Sequence, residues 1–336
     1  MPVPDTAPQH QAVLLLAHGT PQSLDEIPAY LRNVTSGRPM PESVVEEIRH
    51  RYSLIGSSPL TELTQEQGRL LSQALRLPVY VGMRNWKPYI ADVVRQMRAD
   101  GITSAVAICL APQNSRTSVG LYRRAAFAEA AGAIEMDFID GWAEHPLLAQ
   151  AFAERLQPVW QSVSARIGVA APVLFTAHSV PCRTIQTQPA DAQGPPSADP
   201  DPYPVEAKRT AANVAALLAP VGLTAADWFF AFQSQGMSGA TWIGPTVEDT
   251  LTALRQEGHS AVVIQPIGFL CDHVEILYDI DIGFRDFASG IGLEVVRPQS
   301  LNDSPLLTAT LDDLARKGFA RLAAKIPSEA LSAPAL

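Results

Sequence analysis

Three carboxylates and a histidine crowd into one short stretch of the second half of the chain, Asp272-His273-Val-Glu275-Ile-Leu-Tyr278-Asp279. If this stretch is helical, Asp272, Glu275 and Asp279 are spaced three and four apart and share one face. Like charges on one face repel, so the face is either solvated or supplied with a cation. The stretch directly follows an apolar run from Ile264 to Cys271 and therefore starts inside the protein. A carboxylate there needs a cationic partner or a raised pKa, and a divalent metal ion in transit would serve. His178, which ends the apolar run Val173-Leu-Phe-Thr-Ala, is the second candidate, because an imidazole both accepts a proton and ligates a metal. His18 ends a similar run and has no acidic neighbour in sequence. For either histidine the plain alternative is a hydrogen-bonded core residue. Arg51 and Tyr52 precede the turn Ile55-Gly56, where glycine fits a helix C-cap, and Ser58 follows it. Arg51 is either a surface residue at a helix end or a holder of an acidic substituent. Trp242 is either core or a wall for a flat ligand.

The elements that would position these groups occur twice. Val13-Leu-Leu-Leu-Ala-His18-Gly-Thr-Pro21 matches Val173-Leu-Phe-Thr-Ala-His178-Ser-Val-Pro181. Pro88 opens an amphipathic stretch that ends at Gly101, and Pro245 opens one of equal length that ends at Gly258, with Asp92 matching Asp249. Each leads into another apolar strand. After those strands the copies diverge, into Ala111-Pro-Gln113-Asn114-Ser115 in the first and the acid-rich segment in the second. Short, continuously apolar runs read as parallel strands buried on both faces. They fall near 12–17, 79–82, 105–110 and 134–139, then 172–177, 228–232, 261–266 and 293–296. Helical patterns alternate with them at 41–54, 62–76, 89–99, 118–131, 146–166, 205–219, 246–257, 273–279 and 305–324. Alternation of this kind predicts an α/β fold of two similar Rossmann-like halves, each a four-stranded parallel sheet flanked by helices. The expected halves are 1–167 and 168–325, with terminal helices free to pack across them and a frayed tail at 326–336. A cleft lies between the halves, and ligands sit beyond the carboxyl ends of the strands, which is where His18, His178 and the acidic segment fall. The proline-rich stretch 182–204 is expected as a lid or a loose loop.

Composition narrows the function. A net charge of −9 with no cluster of Lys and Arg argues against nucleic acid as a partner. No run of roughly 18 apolar residues is present for a membrane span, and the first residues lack the pattern of a signal peptide. The three cysteines, Cys109, Cys182 and Cys271, are far apart and form no CxxC, which is expected of free thiols in a reducing cytoplasm. An iron–sulfur cluster, which needs about four suitably placed ligands, is not expected.

Taken in order, Leu15-Leu-Ala-His-Gly-Thr-Pro21, Arg51-Tyr-Ser-Leu-Ile-Gly-Ser-Ser-Pro-Leu60, Thr176-Ala-His-Ser-Val-Pro181, Asp201-Pro-Tyr-Pro204, Gln233-Ser-Gln-Gly236, Trp242-Ile-Gly-Pro245 and Pro266 to Asp279 make the chain resemble the ferrochelatases, from residue 12 to about 320. The resemblance implies insertion of ferrous iron into a porphyrin in haem biosynthesis, by a lyase with no prosthetic group of its own. It implies that His178 and Glu275 face one side of the porphyrin, ligating iron or accepting the pyrrole protons. Asp279 would join them at the metal, and Asp281 would extend an acidic track. His18, Arg51, Tyr52, Ser58 and Trp242 would contact the substrate. Related chains often carry Tyr where His18 stands, so His18 could be an axial ligand, and many carry His where Gln113 stands. Residues 21–40 lack the apolar lip of membrane-bound relatives, because Asp25, Glu26, Arg32 and Arg38 interrupt them. A soluble, monomeric, cytoplasmic enzyme preferring coproporphyrin III to protoporphyrin IX is therefore expected, with a later haem-pathway enzyme as a possible partner. The competing readings are a cobalt or nickel chelatase acting on sirohydrochlorin, and a tetrapyrrole or metal carrier without turnover.

Overall fold

The apolar runs form strands because both of their faces find cover. In β1 (Gln11–Ala17), Val13 and Leu15 point into one core and Leu14 and Leu16 into another, and all four are fully buried. The structure, a computed structural model, describes residues 10–116, 118–130, 132–184, 200–235 and 241–325. β1 is joined by β2 (Val79–Met83), β3 (Ser104–Cys109) and β4 (Glu135–Ile139) in a parallel sheet of order β2-β1-β3-β4. The second half repeats this with β5 (Val173–His178), β6 (Trp228–Gln233), β7 (Ala261–Pro266) and β8 (Glu294–Val296), in the order β6-β5-β7-β8. Every expected strand is present. The repeat extends to detail: Met83 N–H donates to Pro88 O at 2.7 Å, and Phe232 N–H to Pro245 O at 2.8 Å.

The helices are α1 (Ile27–Val34), α2 (Glu42–Ile55), α3 (Leu60–Leu75), α4 (Ile90–Ala99), α5 (Val119–Ala130), α6 (Pro146–Ile167), α7 (Tyr203–Leu218), α8 (Val247–Gln256), α9 (Val274–Leu277), α10 (Arg285–Gly290) and α11 (Pro305–Lys325). One core runs through both halves: Val13 and Leu15 of β1, Val173 and Phe175 of β5, and apolar residues of α6, α7 and α11 belong to it. The long helices cross over. α6 follows the first sheet but packs on α7 and β7, whereas α11 follows the second sheet and packs on β3, β4 and α3. Gly318 makes the α11 crossing possible, since a Cβ there would stand 2.6 Å from a Val106 methyl carbon. Arg321 locks it by pairing with Asp137 at 2.7 Å.

Two elements differ from expectation. Residues 27–34 form α1, with a proline in its first turn and Ile27, Tyr30 and Leu31 buried among Tyr52 and Trp86. At eight residues it shows too few turns for its periodicity to stand out. The expected helix at 273–279 is a single turn, α9, followed by a π-helical turn over Asp279–Phe284, closed by Gly283 N–H donating to Tyr278 O at 2.8 Å, and then α10. Of the expected lid, residues 185–199 lie outside the described residues, as does the tail at 326–336.

Candidate active site

A cleft opens where the carboxyl ends of the two sheets meet, with about 1370 Å³ of empty space that includes the solvent at its open mouth. From the first half it is lined by His18, Arg84 and Tyr122, and from the second by His178, Tyr203, His273 and Glu275. Tyr52 and Ser58 line it from the α2–α3 corner, and the Ser58 hydroxyl is buried with no partner among the described residues. Of the residues expected at the site, His18, Tyr52, Ser58, His178 and Glu275 thus share one cavity. Arg51, Asp279 and Trp242 stand outside its lining. The Trp242 backbone bridges to Pro181, and the buried indole N–H of this half-buried residue has no partner among the described residues.

His178 occupies the tip of β5 and is fixed from several sides. Its carbonyl accepts the Tyr203 hydroxyl at 2.7 Å, and Gly268 lets the chain beyond β7 approach, since a Cβ there would stand 3.2 Å from the Ala177 Cβ. Its Nδ1 donates to the Ser179 carbonyl, and its Nε2 lies 3.4 Å from Glu275 Oε1. Because the carbonyl and the carboxylate are both acceptors, both ring nitrogens carry hydrogen and the ring is an imidazolium. The electrostatics agree. Enclosure in the cleft disfavours the charge, but Glu275 overrides it, aided by the Ser179 carbonyl and Asp279, and lifts the His178 pKa to about 9. For Glu275 burial favours the neutral acid, yet His178 and His273 hold its pKa well below the carboxylate range. Gln233, at the tip of β6, accepts from Thr176 at 2.7 Å and donates to the Glu275 carbonyl at 3.0 Å, so the carboxylate sits on a held backbone.

His273 carries a signal that the spacing argument overlooks, since it lies two residues before Glu275. Its Nδ1 donates to the Cys271 carbonyl at 3.0 Å, and its Nε2 faces Glu275 Oε2 at 3.5 Å. Glu275 is thereby flanked by two imidazoles. Arg84 escapes sequence reasoning too, being a lone basic residue after a strand. Its guanidinium lies over the Tyr122 ring, 5.7 Å from the centroid, and has no carboxylate partner among the described residues.

The three carboxylates do not share a face. The His273 backbone is extended, with φ −163°, so Asp272 precedes the helix instead of joining it. Each acid takes its own cation: Asp272 pairs with Arg297, Glu275 with His178, and Asp279 with Arg51 at 3.4 Å. Separate pairing relieves the repulsion that one shared face would impose. Asp281 pairs with Arg297 and Arg285 and does not continue an open acidic track. Burial and the nearby Glu275 charge raise Asp279 to about 6, against the lowering effect of Ser234, Arg51 and His178. Arg51 also pairs with Glu47 and lies over the Tyr278 ring. Among the described residues no three His, Cys, Asp or Glu side chains converge as a metal-holding group.

His18 has different chemistry. Its Nδ1 contacts the Gly19 carbonyl at 3.1 Å and the Tyr30 hydroxyl at 3.3 Å, while its Nε2 accepts from the Asn85 amide at 2.9 Å. Enclosure lowers its pKa below 6.5, outweighing the pull of Glu275. It is a neutral imidazole with its lone pair already engaged. Gly19 turns the chain there at φ +84°, where a Cβ would meet the Trp86 backbone nitrogen at 2.9 Å. Gln113, also in the lining, donates to Thr210 and to the Ile267 carbonyl, both at 3.1 Å, and so ties the halves together.

Comparison with known proteins supplies the context. The ferrochelatase family model matches residues 10–318. The chain is 66% identical over 327 residues to a ferrochelatase of Acidobacterium capsulatum, covering 96% of this chain and 99% of that one. It is 33% identical to a coproporphyrin III ferrochelatase of Geobacillus kaustophilus, covering 92% and 96%. Among solved structures, the sirohydrochlorin chelatase SirB of Bacillus subtilis in complex with cobalt superposes with a TM-score of 0.54 at 13% identity, covering 94% and 97%. At that identity the likeness shows the fold alone.

Proposed function

The chain belongs to the ferrochelatase family and inserts ferrous iron into a porphyrin; from that premise we propose that His178 and Glu275 act as one coupled unit at the centre of the macrocycle. The observation that carries this is the 3.4 Å pairing of an imidazolium with a carboxylate in the wall of the cleft between the two sheets. Insertion removes two N–H protons from the porphyrin while a divalent cation enters. The Glu275 carboxylate takes the first proton. Once neutral, it no longer holds His178 charged, so the imidazolium releases its own proton toward solvent. Its Nε2 lone pair then takes the second pyrrole proton, and both protons leave the pair for solvent as the metal enters the ring. A pair with open positions holds iron weakly enough to pass it on. Binding of the flat ring between the walls supplies the distortion that points nitrogen lone pairs at the metal.

Around that centre, Tyr52, Ser58 and Arg84 are the proposed contacts for porphyrin carboxylates, with Arg51 and Trp242 at the margin and Asp279 as an auxiliary metal group beside the pair. A guanidinium without a carboxylate partner and an unpartnered hydroxyl in the lining suit an acidic substrate. They support coproporphyrin III, with four propionates, over protoporphyrin IX. The name of the Geobacillus kaustophilus relative supports the same choice. No helix of the described residues is long and apolar enough to cross a membrane, which suits the proposed placement of a monomer in the cytoplasm. Handover of the haem precursor to a later haem-pathway enzyme is part of the proposal.

The test is anaerobic insertion assayed with both porphyrins. Wild type should turn over ferrous iron with the higher kcat/KM on coproporphyrin III, and His178→Ala should bind that porphyrin without forming metalloporphyrin. Wild-type turnover by His178→Ala would remove the assignment, and a preference for protoporphyrin IX would remove the substrate choice.

A further inference from the structure

The segment that carries His273, Glu275 and Asp279 has little helical stability of its own and is anchored by the buried Ile276 and Ile280. α9 is four residues long, and an isolated helical turn is unstable. Its N-cap, His273, makes no side-chain capping bond, and the turn after it is π-helical. The segment also carries four carboxylates, Asp272, Glu275, Asp279 and Asp281, which would repel one another without their cationic partners.

One side chain grips it at both ends. Arg297 follows β8, and its side chain is only 10% exposed. Its Nη1 donates to Asp272 Oδ1 at 3.1 Å, ahead of α9. Its Nε and Nη2 form a two-pronged pair with Asp281, at 2.9 and 2.6 Å, beyond it. Nη1 also reaches the Pro298 carbonyl at 3.1 Å and the Ser300 hydroxyl at 3.3 Å. Asp272 is held further by Ser300 Oγ at 2.7 Å and by Asn302 Nδ2 at 2.9 Å, and its N–H donates to Asn302 Oδ1 at 2.9 Å. The loop that receives these bonds is itself anchored, because Gln67 donates to the Asn302 carbonyl at 2.7 Å.

We propose that Arg297 is a positioning residue for the insertion chemistry: by bridging Asp272 and Asp281 it fixes the backbone between them, so that the Glu275 carboxylate meets His178 and the macrocycle in register. The inference rests on the proposed roles of Glu275 and His178. A rigid, planar fork is required, because the two acids are bound along different edges of one guanidinium, and a lysine ammonium spans only one of them. The geometry matters because a misplacement on the order of 1 Å in a reacting group costs roughly 100-fold in rate.

The experiment compares wild type, Arg297→Gln, Arg297→Lys and Asp281→Asn in anaerobic insertion of ferrous iron. Rates are normalised to the measured stoichiometry of porphyrin binding, so that only folded, binding-competent enzyme is counted. Arg297→Gln should lose kcat by roughly 10- to 100-fold with porphyrin KM and Kd within about twofold of wild type, and Arg297→Lys should fail to restore it. Asp281→Asn, which keeps the Arg297–Asp272 contact, should lose kcat by a smaller factor in the same manner, and it carries the test if Arg297→Gln does not fold. Unchanged kcat in these variants, or full rescue by lysine, overturns the inference, as does a KM that rises in step with the loss of kcat. Failure of wild type to insert iron would instead strike the underlying functional reading.

Discussion

Replacing Glu275 by Gln removes one negative charge and nearly preserves the side chain's shape. In the native cleft, enclosure pulls the His178 pKa below its ordinary 6.5, and the Glu275 charge overrides that pull and carries it to about 9. An interval of that size corresponds to about 3 kcal/mol, at about 1.4 kcal/mol per pH unit. Both side chains are about a third exposed, at 34% and 33%, and solvent screens them, so about 1.5 kcal/mol is the coupling expected in solution. In Glu275→Gln the enclosure is opposed only by the Ser179 carbonyl and Asp279, and His178 should titrate well below its native value of about 9. A histidine-labelled NMR titration reads this directly, with His178→Ala assigning the resonance. The linkage has a definite sign. A folded pKa above the unfolded one stabilises the protein below pH 6.5, and that contribution is lost as pH rises through about 9. Wild type should therefore lose thermal stability over that window relative to Glu275→Gln. Metal insertion should fall by at least about 100-fold, the lower end of what a positioned proton acceptor contributes. A His178 resonance still titrating near 9 in Glu275→Gln, or a rate within about tenfold of wild type, would refute the coupling.

Other expectations follow from the same geometry. His18→Ala should retain substantial activity, because the lone pair of this neutral ring is engaged by Asn85; complete loss of insertion would mean that iron is handled from the His18 wall. Insertion should decline as pH falls through about 6, where Asp279 takes up a proton, and the decline should be absent in Asp279→Asn. A profile in the variant that still breaks near 6 would assign it to another group. Gly318→Ala should lower stability by about 1–3 kcal/mol, since the added carbon would stand 2.6 and 2.7 Å from the Val106 methyl carbons. A melting temperature equal to that of wild type would show that α11 can shift off the sheet.

The strands and the duplication were legible because burial on both faces leaves unbroken apolar runs, and because a repeat preserves its turns. β1 and β5 announce themselves as Val13–Ala17 and Val173–Ala177. His178 and Glu275 could be read because one ends such a run and the other sits in a dense polar motif. What was hidden depends on contacts between distant residues. Nothing in the sequence near 297 points to a guanidinium spanning Asp272 and Asp281, and nothing near 84 marks that residue as facing a cleft. The face expected to carry Asp272, Glu275 and Asp279 failed because spacing assumes a continuous helix. Here three cations in three directions offered each acid a better partner than a shared face. The chain breaks into α9 and a π-helical turn instead of one continuous helix.

The decisive measurement is a crystal structure with a metal-free porphyrin in the cleft. The macrocycle should lie between the walls that carry His18 and His178, with His178 Nε2 and the Glu275 carboxylate facing its four nitrogens. A ring bound elsewhere, or one whose centre faces neither side chain, would exclude His178 and Glu275 as the groups that act on the macrocycle.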